Sequence, residues 1–153
     1  MKLDSFRAAL LNVIILSIVV VCIVSFTIQN KVLIGPVLIA LGFLPWIPLA
    51  LVKRKINTVA ADIVFGAVDT GILGIAALIG ASFAGVLGAI IGGAAGDAIT
   101  DAFAGLFEGK VAVVLKRHGI EQARTPLGSS MGKMSGCLFG VGIVLTIAWS
   151  LIR

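Results

Sequence analysis

The sequence predicts an all-α, polytopic membrane protein of about five transmembrane helices, with its N-terminus inside and its C-terminus outside. Three observations carry that expectation. Apolar residues make up 59% of the 153 positions and charged ones only 12%, about half the charged share of an ordinary soluble domain. The apolar residues gather in runs long enough to cross about 30 Å of hydrocarbon. The basic residues collect at the ends of those runs, and unevenly. Lys2, Arg7, Lys53, Arg54, Lys55, Lys110, Lys116, Arg117, Arg124 and Lys133 fall in inner segments, whereas only Lys31 and Arg153 fall in outer ones. That asymmetry sets orientation. The net charge of +5 is therefore a topology signal, and no basic run is interleaved with aromatics as nucleic-acid binding would require. One membrane domain accounts for residues 1–153.

The first span covers 8–28. Lys2 and Arg7 ahead of it imitate a signal peptide, but the apolar run is too long and lacks an A-x-A cleavage site, so it reads as a retained span. Gln29, Asn30 and Lys31 make a turn into the second span, 32–52, which ends on Lys53-Arg54-Lys55. Pro45 and Pro48 flank Trp46 there, predicting a kinked helix with an aromatic anchor at the interface. The third span, 59–81, and the fourth, 83–107, are joined by a short turn at Ser82 and form an antiparallel pair. Gly85, Gly88, Gly92, Gly93 and Gly96 would let another helix approach the fourth span closely. A polar loop, 109–131, follows on the cytoplasmic side. Its first part, Lys110 to His118, reads as an amphipathic extension, and Arg124, Thr125, Pro126 and Gly128 break the chain. The fifth span, 132–152, carries Gly132, Gly136 and Gly140 four apart, a packing face. Cys22 and Cys137 lie inside spans without metal-ligand spacing and read as small apolar core residues.

Against this apolar background the acidic residues stand out. Asp62, Asp69, Asp97, Asp101 and Glu108 all fall in the hairpin of the third and fourth spans. A carboxylate at mid-bilayer costs about 2.5–3.5 kcal/mol on insertion scales. Four aspartates together cost about 10 kcal/mol, comparable to the stability of a whole domain. Residues four and seven apart share a helix face, so Asp97, Asp101 and Glu108 form one stripe and Asp62 and Asp69 another. Folding at Ser82 would bring Asp69 level with Asp97 and Asp62 level with Asp101. Carboxylates so crowded must protonate or bind cations. Hard oxygen donors without His or Cys favour Ca²⁺, Mg²⁺, Mn²⁺ or Na⁺, and the hydroxyls of Thr70 and Thr100 would add ligands. Lys133, one residue into the fifth span, either snorkels inward or pairs with an aspartate. His118 sits in a basic cytoplasmic segment. No Ser–His–Asp arrangement, phosphate loop or zinc spacing supports enzyme chemistry, and no bound cofactor is expected.

Phe65-Gly66-Ala67-Val68-Asp69-Thr70, then Gly96-Asp97-Ala98-Ile99-Thr100-Asp101-Ala102 with Gly105, then Gly132-Lys133-Met134-Ser135-Gly136 with Gly140, resemble the transmembrane protein sixty-five family. Its mitochondrial members are associated with sodium-dependent calcium efflux. The resemblance spans roughly Asp62 to Ile147 and implies a small, oligomeric cation transporter, with Asp69 and Asp101 at the family's acidic positions. Asp97 and Thr70 depart from it, standing where amides are usual. Spans one and two have no counterpart in it. A weaker similarity is to vacuolar iron transporters, whose long metal-binding helical domain is absent.

The expectation is thus a sodium/calcium exchanger in a prokaryotic plasma membrane. Asp69, Asp97 and Asp101 form its coordinating core, with Asp62 and Glu108 at the cytoplasmic mouth. Five helices leave little room for alternating access, which a homodimer would supply. The rivals are a transporter or channel for Mg²⁺, Mn²⁺ or another divalent ion, and a non-transporting scaffold whose glycine faces bind partner helices.

Overall fold

The computed structural model describes residues 3–30, 32–117 and 125–152, with side chains for 6–30, 32–104 and 125–151. Its elements are α1 (Leu3–Gln29), α2 (Ile34–Leu41), α3 (Trp46–Leu51), a 3-10 turn (Ile56–Val59), α4 (Ala60–Arg117) and α5 (Pro126–Ile152). Among the described residues there is no strand. Four helical stretches are long and apolar enough to cross a membrane: Phe6–Gln29, Ile34–Leu51, Ile56–Ala104 and Pro126–Leu151. Helices meet the bilayer's demand that every backbone polar group be satisfied internally. The chain divides into two compact units, Met1–Gly71 with Thr125–Arg153, and Ile72–Arg124.

In the first unit α5 is the helix on which the others pack, touching α1, α2, α3 and the 3-10 turn. One apolar cluster joins Leu38 and Leu41 of α2 to Leu138 of α5, with Val20, Ile23 and Val24 of α1 against it. A second joins Leu49 of α3, Val59 of the 3-10 turn and Met131 of α5. The outer side of α1 stays bare, with Leu11, Ile18 and Val21 exposed by 58%, 58% and 62%. An apolar surface of that extent suits lipid rather than water.

The second span divides into α2 and α3, with a turn over 42–45 between them. The prolines explain it. Pro45 and Pro48 have no N–H to give to Leu41 and Leu44, so those carbonyls accept instead from Leu44 and Ile47, 3.0 Å away in each case. Trp46 N–H likewise turns to the Phe43 carbonyl at 3.1 Å, which frees the carbonyl of Gly42. Ser135 of α5 takes up that loose end. Its hydroxyl donates to Gly42 O at 2.7 Å and accepts from the Trp46 indole N–H at 2.9 Å. The indole expected at the interface is thereby tied to α5. Phe43, Trp46 and Phe139 close the joint edge to face, with centroids 4.9–6.2 Å apart.

Glycines set the helix spacing on both sides of α5. A Cβ on Gly136 or Gly140 would strike the carbonyl oxygen of Ile63 or of Ala67, and one on Gly132 would lie 2.8 Å from the Asp62 Cβ. The contacts advance together along both helices, so α5 runs parallel to the first turns of α4. On the opposite flank Gly142 meets Ile39, and Gly35 and Gly42 meet Thr146 and Phe139, so α2 is antiparallel to α5. In lipid such contacts stabilise through close van der Waals packing, because the tails are as apolar as the side chains.

α5 begins at Pro126, six residues ahead of the expected start. Thr125 caps it, its hydroxyl accepting from Gly128 N–H at 3.1 Å, with proline in the first helical position. The loop expected over 109–131 is therefore shorter at its far end, while the amphipathic extension expected from Lys110 is helical as far as Arg117. Arg54 donates to the same Thr125 hydroxyl, fixing the basic end of α3 against the start of α5.

In the second unit α4 doubles back on itself. The reversal falls at Ala84 and Gly85, two residues beyond the expected turn at Ser82. Ala84 (φ −138°, ψ 23°) and Gly85 (φ 59°, ψ −135°) are its two non-helical residues, and Gly85 adopts a conformation open essentially to glycine alone. Gly80 then faces the backbone of Gly88, Gly92 that of Ala76, and Gly96 the Leu73 Cα at 3.3 Å. The glycines expected to admit another helix thus admit the chain's own preceding arm.

Candidate functional site

The carboxylates fall in both units. In the first, Asp62 lies in the first turn of α4 and is 7% exposed. It is the one buried acid among the described side chains. Its carboxylate Oδ1 accepts a hydrogen bond from the Ser129 hydroxyl at 3.3 Å. Two features of the sequence make that burial possible. Gly132 leaves room for the Asp62 Cβ, and the Thr125 cap starts α5 early enough to place Ser129 one turn before Gly132. A carboxylate in the first turn of a helix also meets the favourable end of its dipole.

Asp69 and Thr70 are half-buried on the same helix. Asp62, Phe65 and Asp69 share one face, being three and four residues apart in turn. Over that face lies Lys133 of α5, whose Nζ is 5.2 Å from the centroid of the Phe65 ring. Gly66 sets the approach, because a Cβ there would lie 2.7 Å from the Lys133 carbonyl oxygen. The ammonium considered above as an aspartate's partner rests on an aromatic face.

In the second unit Asp97 is half-buried and Asp101 exposed. Thr100, 5% exposed, turns its hydroxyl into its own helix, donating to the carbonyls of Gly96 at 3.1 Å and Asp97 at 3.0 Å. The side chain of Glu108 and the whole of His118 lie outside the described residues.

Among the described residues no three His, Cys, Asp or Glu side chains gather as a metal-holding group. Within each unit the donors are instead one or two carboxylates with hydroxyls and main-chain oxygens, a set that suits hard cations. Ser129 was not legible as a site residue, although the Thr125-Pro126 helix start ahead of it is a sequence-level signal. Ser135 and Trp46 were missed as a hydrogen-bonded pair as well. Cys22 and Cys137 are free thiols, Cys22 exposed on α1 rather than in the core.

No family model, no curated protein and no solved structure matches this chain. The likeness to the transmembrane protein sixty-five family therefore rests on the three sequence motifs alone.

Proposed function

We propose that the chain is a cation transporter that moves Ca²⁺ in exchange for Na⁺ through carboxylates inside the membrane of a prokaryotic cell. The observation that carries this reading is Asp62. A carboxylate 7% exposed within a helix apolar enough to cross a membrane is costly to keep and marks ion pathways in membrane proteins. Asp69 on the same helix face extends the acidic path two further turns. Asp97 and Asp101, with Thr100 between them in sequence, supply a second set of hard donors. Sodium and calcium are close in size, so one oxygen cage serves both, with the carboxylates balancing the charge. Five crossings give a small bundle, and a homodimer supplies the rocking interface that exchange needs.

The glycine faces favour this reading over a scaffold for partner helices. Gly132, Gly136 and Gly140 are spent on α4, and Gly80, Gly88 and Gly92 on the hairpin itself, so these faces are already occupied within the chain.

Liposomes reconstituted with the purified chain test the proposal. An outward-directed sodium gradient drives uptake of radiolabelled calcium, and Asp69→Asn and Asp101→Asn each reduce it by about tenfold or more. Undiminished uptake in both variants overturns the site assignment. Uptake indifferent to the sodium gradient shows a channel, and preference for Mg²⁺ or Mn²⁺ reassigns the ion. No flux of any of these ions overturns the transport reading.

A further inference from the structure

We propose that Lys133 is a tethered competitor for the cation, a built-in ammonium that a metal ion must displace from the carboxylate face of α4. The inference rests on the cation-transport reading above. It starts from where the ammonium is held. Phe65 lies between Asp62 and Asp69 on one face of α4, three residues after the first and four before the second. Lys133 Nζ sits over that ring, 5.2 Å from its centroid. The backbone of Lys133 is fixed beside the same face, since its carbonyl oxygen lies 2.7 Å from where a Gly66 Cβ would be. The side chain itself is exposed and flexible, so the ammonium has freedom to leave the ring while its anchor stays.

A lysine that only snorkelled would carry its charge to the aqueous boundary. This one holds it against an aromatic face flanked by two acids. The chemistry follows from charge. An ammonium is a compact unit charge on a four-carbon stem, and held over the face that carries Asp62 and Asp69 it offsets part of their field. An arriving cation meets carboxylates already partly compensated, and the nearby positive charge repels it. The ring offers the ammonium a place to stay that is close to the acids yet weakly held, so displacement is easy. Lys133 thereby weakens cation binding and speeds release, which suits a carrier better than a storage site.

Repulsion by a fixed charge scales with the charge of the ion. That scaling supplies a signature a packing role would not give. The full chain in lipid nanodiscs is titrated with CaCl₂ and separately with NaCl at constant ionic strength, and binding is read by equilibrium dialysis. Lys133→Met, which keeps length and apolar bulk, is expected to tighten calcium by about tenfold and sodium by about threefold. Lys133→Arg retains the charge and stays within about threefold of the wild type for both ions. Phe65→Leu removes the ring, lets the ammonium settle on the acids and weakens calcium binding severalfold.

Unchanged or weaker calcium binding in Lys133→Met, with its thermal unfolding as in the wild type, overturns the inference while leaving the transport reading in place. If Lys133→Met does not fold, Phe65→Leu decides, and unchanged or tighter binding there overturns it. A wild-type chain that binds neither ion overturns both.

Discussion

At the residue scale, two serines do what no charge does. Ser135 is fully buried and serves both the Gly42 carbonyl and the Trp46 indole. Ser135→Ala leaves both groups unpaired and is expected to destabilise the chain by about 2–4 kcal/mol, read as a lowered denaturation midpoint in detergent. Ser129 holds Asp62, and Ser129→Ala is expected to cost about 1 kcal/mol, the net worth of a hydrogen bond. A cycle with Asp62→Ala checks it: the two changes should not add, because each removes the same bond. Strict additivity would show that the contact contributes nothing. Neither serine announces itself in the sequence, because a serine in an apolar helix reads the same whether it bonds its own turn or another helix.

At the element scale, glycines decide which helices touch. Gly136→Ala places a methyl against the Ile63 carbonyl, backbone that cannot swing aside, and is expected to destabilise by about 2 kcal/mol or more. Gly71→Ala is the control, since nothing lies within 4 Å of a Cβ there. It is expected to be neutral or to stabilise by up to about 1 kcal/mol through helix propensity. Gly85→Ala forces an L side chain into φ 59° and is expected to cost about 1–3 kcal/mol. All three are read by thermal unfolding monitored by circular dichroism. The four-residue spacing of Gly132, Gly136 and Gly140 was legible as a packing face, because periodicity alone declares it. Its partner was not. The hairpin was legible too, but its turn was placed at Ser82, because Gly85 reads equally as a packing glycine or as a reversal. The distinction lies in the sign of φ, which arises only when Gly80 and Gly88 come together.

At the scale of the whole molecule, the question is how often the chain crosses the membrane. Of the four stretches long enough, Ile56–Ala104 contains the reversal at Ala84 and Gly85. If its two arms each cross, the crossings number five and the termini lie on opposite sides. Alkaline phosphatase fused after Arg153 is then expected to be active, and fused before Met1 inactive. Activity on the same side for both ends would mean an even number of crossings and would remove the basis for placing the basic segments inside.

Composition and the spacing of apolar runs determined the helical, membrane-suited character of this protein, because a bilayer admits few backbone solutions and long apolar helices are the simplest. The glycine intervals determined that some faces would pack tightly, and the acidic residues set one apolar hairpin apart from the other spans. The tertiary structure decided the rest. It made α5, the last helix, the one on which the first unit is built, because two glycine faces on one helix admit a parallel and an antiparallel neighbour at once. It divided the second span at its prolines, since two missing N–H groups shift the hydrogen bonds and leave a carbonyl for Ser135. It also separated the acids by environment, burying Asp62 beside Ser129 while leaving Asp101 exposed, a difference that depends on which helix lies alongside and that no spacing along one helix encodes.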